Sequence, residues 1–205
     1  DNLPHIKDVN MVLGLMLTTK TDDTADQIMS LKIKGGSGLD SGETNLESSI
    51  DPGTLGHRFQ SPSVNGEEAP DIKLPIRLVG VSGSRDEQGT INVIEGRQLN
   101  GDDTNAAVVG AKLAEKNNLS IDSTFTAYDE TFTVVGIFDA GTEFGNDAIY
   151  IPLATAQRIG DAGSEISSAV VTVDSVDNVE SALASIKETL GEDKADAVLT
   201  EANAM

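Results

Sequence analysis

The sequence predicts an α+β fold on three observations: a β-rich centre, a strand–helix step at Ala106–Asn117, and a closing β-α-β pattern over Ser168–Thr200. From the N-terminus, Val9–Thr19 and Gln27–Lys34 alternate or run apolar with β-compatible residues. Two strands are expected there, joined as a hairpin by the polar stretch Lys20–Asp26. From Gly35 to Asp71, Gly, Ser, Pro, Asn and acidic residues dominate (GGSGLDSGETNLESSIDPGTLG, then SPSVNGEEAPD). Too few regularly spaced apolar side chains occur there to build a core, which predicts a long loop. Ile72–Val81 is strand-like, with Pro75 restricting it to an edge or interrupting its ladder.

Asn92–Asn100 follows a glycine turn, and Ala106–Gly110 reads as a short strand entering a helix over Ala111–Asn117, ended by Asn117–Asn118. Thr124–Tyr128 and Thr131–Phe138 form the clearest hairpin, turning at Asp129–Glu130, with Asp147–Ile151 expected as its sheet partner. Pro152 stands at a first helical position, Leu153, Ala156 and Ile159 recur at helical spacing, and Gly160 closes the segment. Ser168–Val173 is a β-branched strand. The strongest helix follows: Val176, Val179, Leu183, Ile186 and Leu190 step by three and four, Asp177 and Glu180 have capping-box spacing, and Gly191 supplies the stop. Ala197–Thr200 reads as a last strand.

The 205 residues fit one large domain or two small lobes, long enough to bury roughly two-thirds of the unfolded surface. With 14 Lys+Arg against 34 Asp+Glu the formal charge is −20, which repels phosphate backbones and argues against nucleic-acid binding. Such a charge also serves solubility. Cys and Trp are absent, and five Phe and two Tyr are the only aromatics, so no disulfide, thiolate metal site or base-stacking platform can be assembled. Apolar stretches such as Met11–Leu17 fall short of the roughly 18–20 residues a membrane helix needs. The chain starts at Asp1 without an initiator Met and stops at Met205 shortly after a strand-like segment, the form expected of a soluble domain excised from a longer protein.

Candidate chemistry is sparse. His5 and His57 lie far apart without metal-ligand spacing and read as surface or loop histidines. Gly80-Val81-Ser82-Gly83-Ser84 resembles a nucleophile elbow only superficially, because Ser84 stands where Gly is required; it reads as a Gly/Ser turn. No Gly-Lys-Ser/Thr tripeptide and no G-x-G-x-x-G run supports nucleotide binding. Asp22-Asp23, Glu67-Glu68 and Asp102-Asp103 lack EF-hand spacing and read as solvated turns. An extracellular hydrolase is disfavoured because no nucleophile–base pair can be named. No catalytic, cofactor-binding or metal-ligating residue is assigned, and the protein is not expected to be an enzyme.

One ordered set of segments carries a family resemblance: Glu95-Gly96-Arg97-Gln98-Leu99, then Ala107-Val108-Val109-Gly110-Ala111-Lys112-Leu113-Ala114, then Phe132-Thr133-Val134-Val135-Gly136-Ile137-Phe138, then Ile149-Tyr150-Ile151-Pro152-Leu153. In this order the chain resembles the extracytoplasmic (periplasmic core) domain of MacB-like ABC transporter permeases, in the FtsX-like superfamily. Leu3–Val12 and Val171–Leu190 extend the resemblance, and Thr18–Pro70 is poorly covered. Each piece has a local physical reason: Gly96 permits a turn, Gly110 and Gly136 mark close approaches or bends, and Pro152 starts a helix without wasting an amide donor. The pattern is therefore expected to report a fold rather than a site.

The resemblance implies two lobes. A porter-like lobe with the β-α-β pattern would comprise 1–34, 71–93 and 167–205, a mostly β, sabre-like lobe 94–166, with a flexible Gly/Ser/acid-rich insertion at 35–70. It further implies a cell-membrane permease with this domain on the extracytoplasmic side, working as a homodimer with an ABC ATPase that holds ATP outside this chain, and with a membrane-fusion or adaptor protein. The isolated domain could then be monomeric. Its expected role is coupling ATP hydrolysis to export of peptides, drugs or lipid-linked cargo. The alternative is a signalling module that senses antimicrobial peptides or activates a cell-wall hydrolase. The acidic insertion and charge depart from Gram-negative members, which favours a Gram-positive cell surface over the periplasm.

Overall fold

In a computed structural model of the chain, residues 3–20, 39–52, 73–86 and 89–190 are described. The expected strands Gln27–Lys34 and Ala197–Thr200 and the Gly191 stop lie outside them. The chain divides into two compact units, one of residues 1–10 with 170–205 and the other of residues 11–169.

The larger unit is built from strands β1 (Ile6–Thr19, from Met11 onward), β2 (Gly42–Thr44), β3 (Ile76–Val81), β4 (Arg85–Asp86), β5 (Gly89–Thr90), β6 (Val93–Gly96), β7 (Ala106–Gly110), β8 (Thr124–Ala127), β9 (Glu130–Phe138) and β10 (Ala148–Pro152), with helices α1 (Ala111–Lys116) and α2 (Leu153–Ile159). Seven of these strands pair in a ring: β1-β2-β8-β9-β7-β10-β3 and back to β1. Three of its seams are parallel (β1–β2, β9–β7, β10–β3) and four antiparallel. β6 adds to β9, and β4 pairs β5 separately.

Period-two geometry sends alternate side chains to opposite faces. Leu13, Leu15 and Leu17 of β1 meet Ile76, Leu78, Val109, Phe125, Phe132, Ile149 and Ile151 in one cluster, which α1 and α2 join through Leu113, Ala114, Leu153 and Ala156. The opposite face carries Val12, Val79, Val81, Val108, Phe138 and Tyr150 with Ile91. Both faces of β7 and β10 are therefore buried, which explains the unbroken apolar runs AAVVG and AIYIP. Phe125 and Phe132 stack at 5.6 Å, and Phe138 meets Tyr150 edge-on at 4.9 Å.

Several expectations change. The β8–β9 turn falls on Tyr128-Asp129, not Asp129-Glu130, because the Ala127↔Glu130 register leaves two central residues, both at positive φ (52° and 60°). The hairpin's sheet partners are β2, β6 and β7; β10 instead pairs β3 and β7. β3 is not an edge strand: Pro75 lies just before it, so its ladders to β1 and β10 lose no donor. Pro152 is the extended N-cap of α2 rather than its first helical residue. Within the expected 35–71 loop, β2 forms and Leu46 is buried, because a single apolar side chain and polar clamps suffice to seat a three-residue strand.

The smaller unit contains Ile6–Asn10 of β1, Val170–Val173 of β11 (Ser168–Val173), a 3-10 turn at Val176–Asn178 and α3 (Val179–Leu190). The Asp174 amide donates to the His5 carbonyl at 3.0 Å. Ser175 caps the 3-10 turn that precedes α3, its hydroxyl accepting from the Asp177 amide at 3.3 Å. Val176 consequently leaves the apolar stripe and is 88% exposed, whereas Ala182 is fully buried.

Candidate functional site

The segments singled out in the sequence meet around β9. Gly96 lies opposite Gly136 in the β6–β9 ladder, at φ 73°. A Cβ on Gly96 would sit 2.3 Å from the Val135 carbonyl oxygen, and one on Gly136 2.3 Å from that of Arg97. No L side chain fits either approach. The β7–β9 register skips Val135 as a bulge, and the Arg97 amide donates to its carbonyl at 2.9 Å. On the far side of β7, a Cβ on Gly110 would sit 2.2 Å from the Asn146 carbonyl oxygen, which accepts from the Leu113 amide at 3.1 Å and so satisfies the first turn of α1.

Side chains around these crossings are committed to holding backbone. Arg97 forks onto Asp103 at 2.7 and 2.9 Å, and Asp103 also accepts from the Asn100 amide at 2.8 Å. The Arg97 hydrogen bond holds the Asp103 carboxyl below its ordinary range despite partial burial. Asp103 of the Asp102-Asp103 pair is thus a turn cap. Asn146 accepts from the Ala140 amide at 2.8 Å and donates to Asp139 at 2.9 Å, and the loop it ties down presents Phe144 to solvent. Arg158 of α2 grips Glu130 at the hairpin turn, and Asn105 donates to the same carboxylate at 3.2 Å.

Asp147, at the entrance to β10, is 2% exposed. It accepts from the Ser49 amide at 2.6 Å, the Ser49 hydroxyl at 2.7 Å and the Ser48 hydroxyl at 2.8 Å. Burial nevertheless pushes its carboxyl above the ordinary value, the hydrogen bonds offsetting only part of the desolvation. Asn117 clamps Glu47 from both sides, donating to its carbonyl and accepting from its amide at 2.8 Å each. Neither Asp147 nor Asn117 stands out in the sequence as a contact; the signal lies in Leu46 and Ile50, two apolar residues in a polar run that need somewhere to pack.

Two hollows occur in this unit. A shallow one of about 400 Å³ is lined by Leu39, Asp40, Ser41, Tyr128, Ile159 and Asp161, among others, and one of about 120 Å³ lies beside the buried Asp86–Tyr150 contact. Among the described residues no group of three His, Asp or Glu side chains could hold a metal ion. His5 lies 3.4 Å from Asp174 in the smaller unit, while His57, Asp22-Asp23 and Glu67-Glu68 fall outside the described residues. Gly80 and Val81 belong to β3, and only Ser82–Ser84 turn; the Ser82 hydroxyl accepts from the Met11 amide at 2.9 Å. Among the described residues no helix is long and apolar enough to cross a membrane.

The strands of the ring meet at glycine crossings, and the polar side chains around those crossings hold backbone in place. The family model for the MacB-like periplasmic core domain matches residues 40–189, and the chain belongs to that family. It is the extracytoplasmic domain of a MacB/FtsX-like ABC permease, a non-enzymatic transport component. Among solved structures, the extracellular domain of the noncanonic ABC-type transporter YknZ from Gram-positive bacteria is similar at TM-score 0.52 and 15% identity, over 87% of this chain and 71% of that one. The periplasmic region of MacB from Actinobacillus actinomycetemcomitans aligns at TM-score 0.47 and 18% identity, over 93% and 86% respectively. No curated protein matches the chain.

The Asp147 seat has a testable pH signature. Its folded carboxyl lies above the ordinary value of 3.8, so it contributes stability fully below that value and loses it as pH rises through the folded pKa. The stability of the native chain minus that of Asp147→Asn, from urea unfolding in a pH series that starts at the ordinary value of 3.8 and continues to neutrality, is therefore expected to fall as pH rises above that value. A difference that grows with pH would contradict the desolvation account.

Proposed function

We propose that this domain couples ATP hydrolysis by a cytoplasmic ATPase to movement outside the membrane, for export of a peptide, drug or lipid-linked cargo with docking of an adaptor protein. The observation that carries this reading is the match of residues 40–189 to the MacB-like periplasmic core domain family. The smaller unit, residues 1–10 with 170–205, falls within the proposed porter-like lobe, and the permease is proposed to assemble as a homodimer.

In the full-length permease with its ATPase, a fluorophore on Phe144→Cys is expected to respond to ATP. A Gly-Ser-Gly-Ser insertion between Asn10 and Met11 should abolish most of that response while hydrolysis continues. An undiminished response in the insertion variant would sink the coupling role.

The formal charge of −20 favours a second reading, in which the same domain senses a cationic antimicrobial peptide at a Gram-positive cell surface. Steering by such a field is screened by salt. Binding of a cationic peptide should weaken by about ten-fold or more between low salt and roughly 0.5 M salt; salt-insensitive binding, or none, eliminates this reading.

A further inference from the structure

We propose that residues 39–52 are a detachable strap, whose release opens the strand ring between β1 and β8 while the remaining seams stay paired. β2 is the shortest strand of the ring, and it alone bridges those two neighbours. It meets β1 over Leu17–Thr19 and β8 at the single register pair Thr44↔Ala127, whereas β3 meets β1 from Val12 to Leu17 and β9 meets β8 over four pairs.

The remaining hold on the strap is polar: the Lys20 amide donates to the Thr44 carbonyl at 2.7 Å and the Tyr128 amide to the Glu43 carbonyl at 3.0 Å, and the rest comes from side chains. Thr44 donates from its hydroxyl to the Thr126 carbonyl at 2.7 Å, and Asn45 accepts from the Thr126 amide at 2.7 Å. Glu47 is gripped by Asn117, and Ser48 and Ser49 sit on Asp147. Leu46 is its single fully buried apolar side chain, against the dense apolar packing of β7, β9 and β10.

A segment with little buried apolar surface and many side-chain hydrogen bonds occupies the low end of local stability. Asp147 biases the balance further, since docking must strip water from its carboxylate and release returns it. In the open state the β1 edge at Leu17–Thr19 and the end of β8 at Thr126 and Ala127 lose their partner and become free strand edges.

Hydrogen–deuterium exchange on the whole chain tests this. The amides of Glu47, Ser49, Thr126 and Tyr128, all bonded across the strap, are expected to exchange together, roughly 10- to 100-fold faster than those of β7, β9 and β10. The chain has no cysteine, so a Thr44→Cys/Ala127→Cys pair can be oxidised without competing thiols. Its disulfide should slow the strap amides to the rate of β7, and reduction should restore fast exchange. Strap amides that already exchange at the rate of β7 in the native chain, or that stay fast once the disulfide has formed, would overturn the proposal.

Discussion

Closing a sheet on itself removes exposed edges but requires strands to tilt and bend, so that single strands must serve several neighbours along their length. Two long strands meet that requirement in the larger unit. β9 pairs β8 over Glu130–Thr133, β7 over Thr133–Phe138 and β6 over Gly136–Phe138, changing partner around a bulge at Val135. β1 pairs β3 as far as Leu17 and β2 beyond it. Beside the bulge at Val135, Gly96 and Gly136 allow two backbones to touch, and the Arg97 amide donates to the Val135 carbonyl. The side-chain alternation that fills both apolar clusters follows from the register set there, since a slip of one residue would exchange their faces.

The glycine-punctuated pattern has a physical meaning in this chain. Gly96, Gly110 and Gly136 are positions of backbone contact, and the polar residues beside them cap turns and first helical amides. The chain that carries them belongs to the MacB-like periplasmic core domain family.

Legibility in the sequence followed the physics of each segment. α1, α2 and β11 were readable to within a residue, because local periodicity, Asn117 and Gly160 as stops, and β-branched runs act within one element. Strand pairing was not: AIYIP announces a doubly buried strand but not which neighbours cover it, and β10 pairs β3 rather than the 124–138 hairpin. α3 begins at Val179, and Val176 falls in the 3-10 turn before it, a distinction that three-and-four spacing does not make. The strap escaped notice because its hold rests on Asn45, Asn117 and Asp147, whose partners lie far along the chain.

If backbone contact at the glycine crossings is what sets the register of the ring, adding one methyl group there should be costly, and adding one where space is open should not. A Cβ on Gly101 meets nothing within 4 Å. Urea unfolding of Gly136→Ala beside Gly101→Ala makes the comparison directly. The expected result is a loss of about 1–3 kcal/mol or more for Gly136→Ala, the cost of forced overpacking, and a change within about 0.5 kcal/mol for Gly101→Ala. Equal stability of the two variants would contradict the role assigned to the crossing.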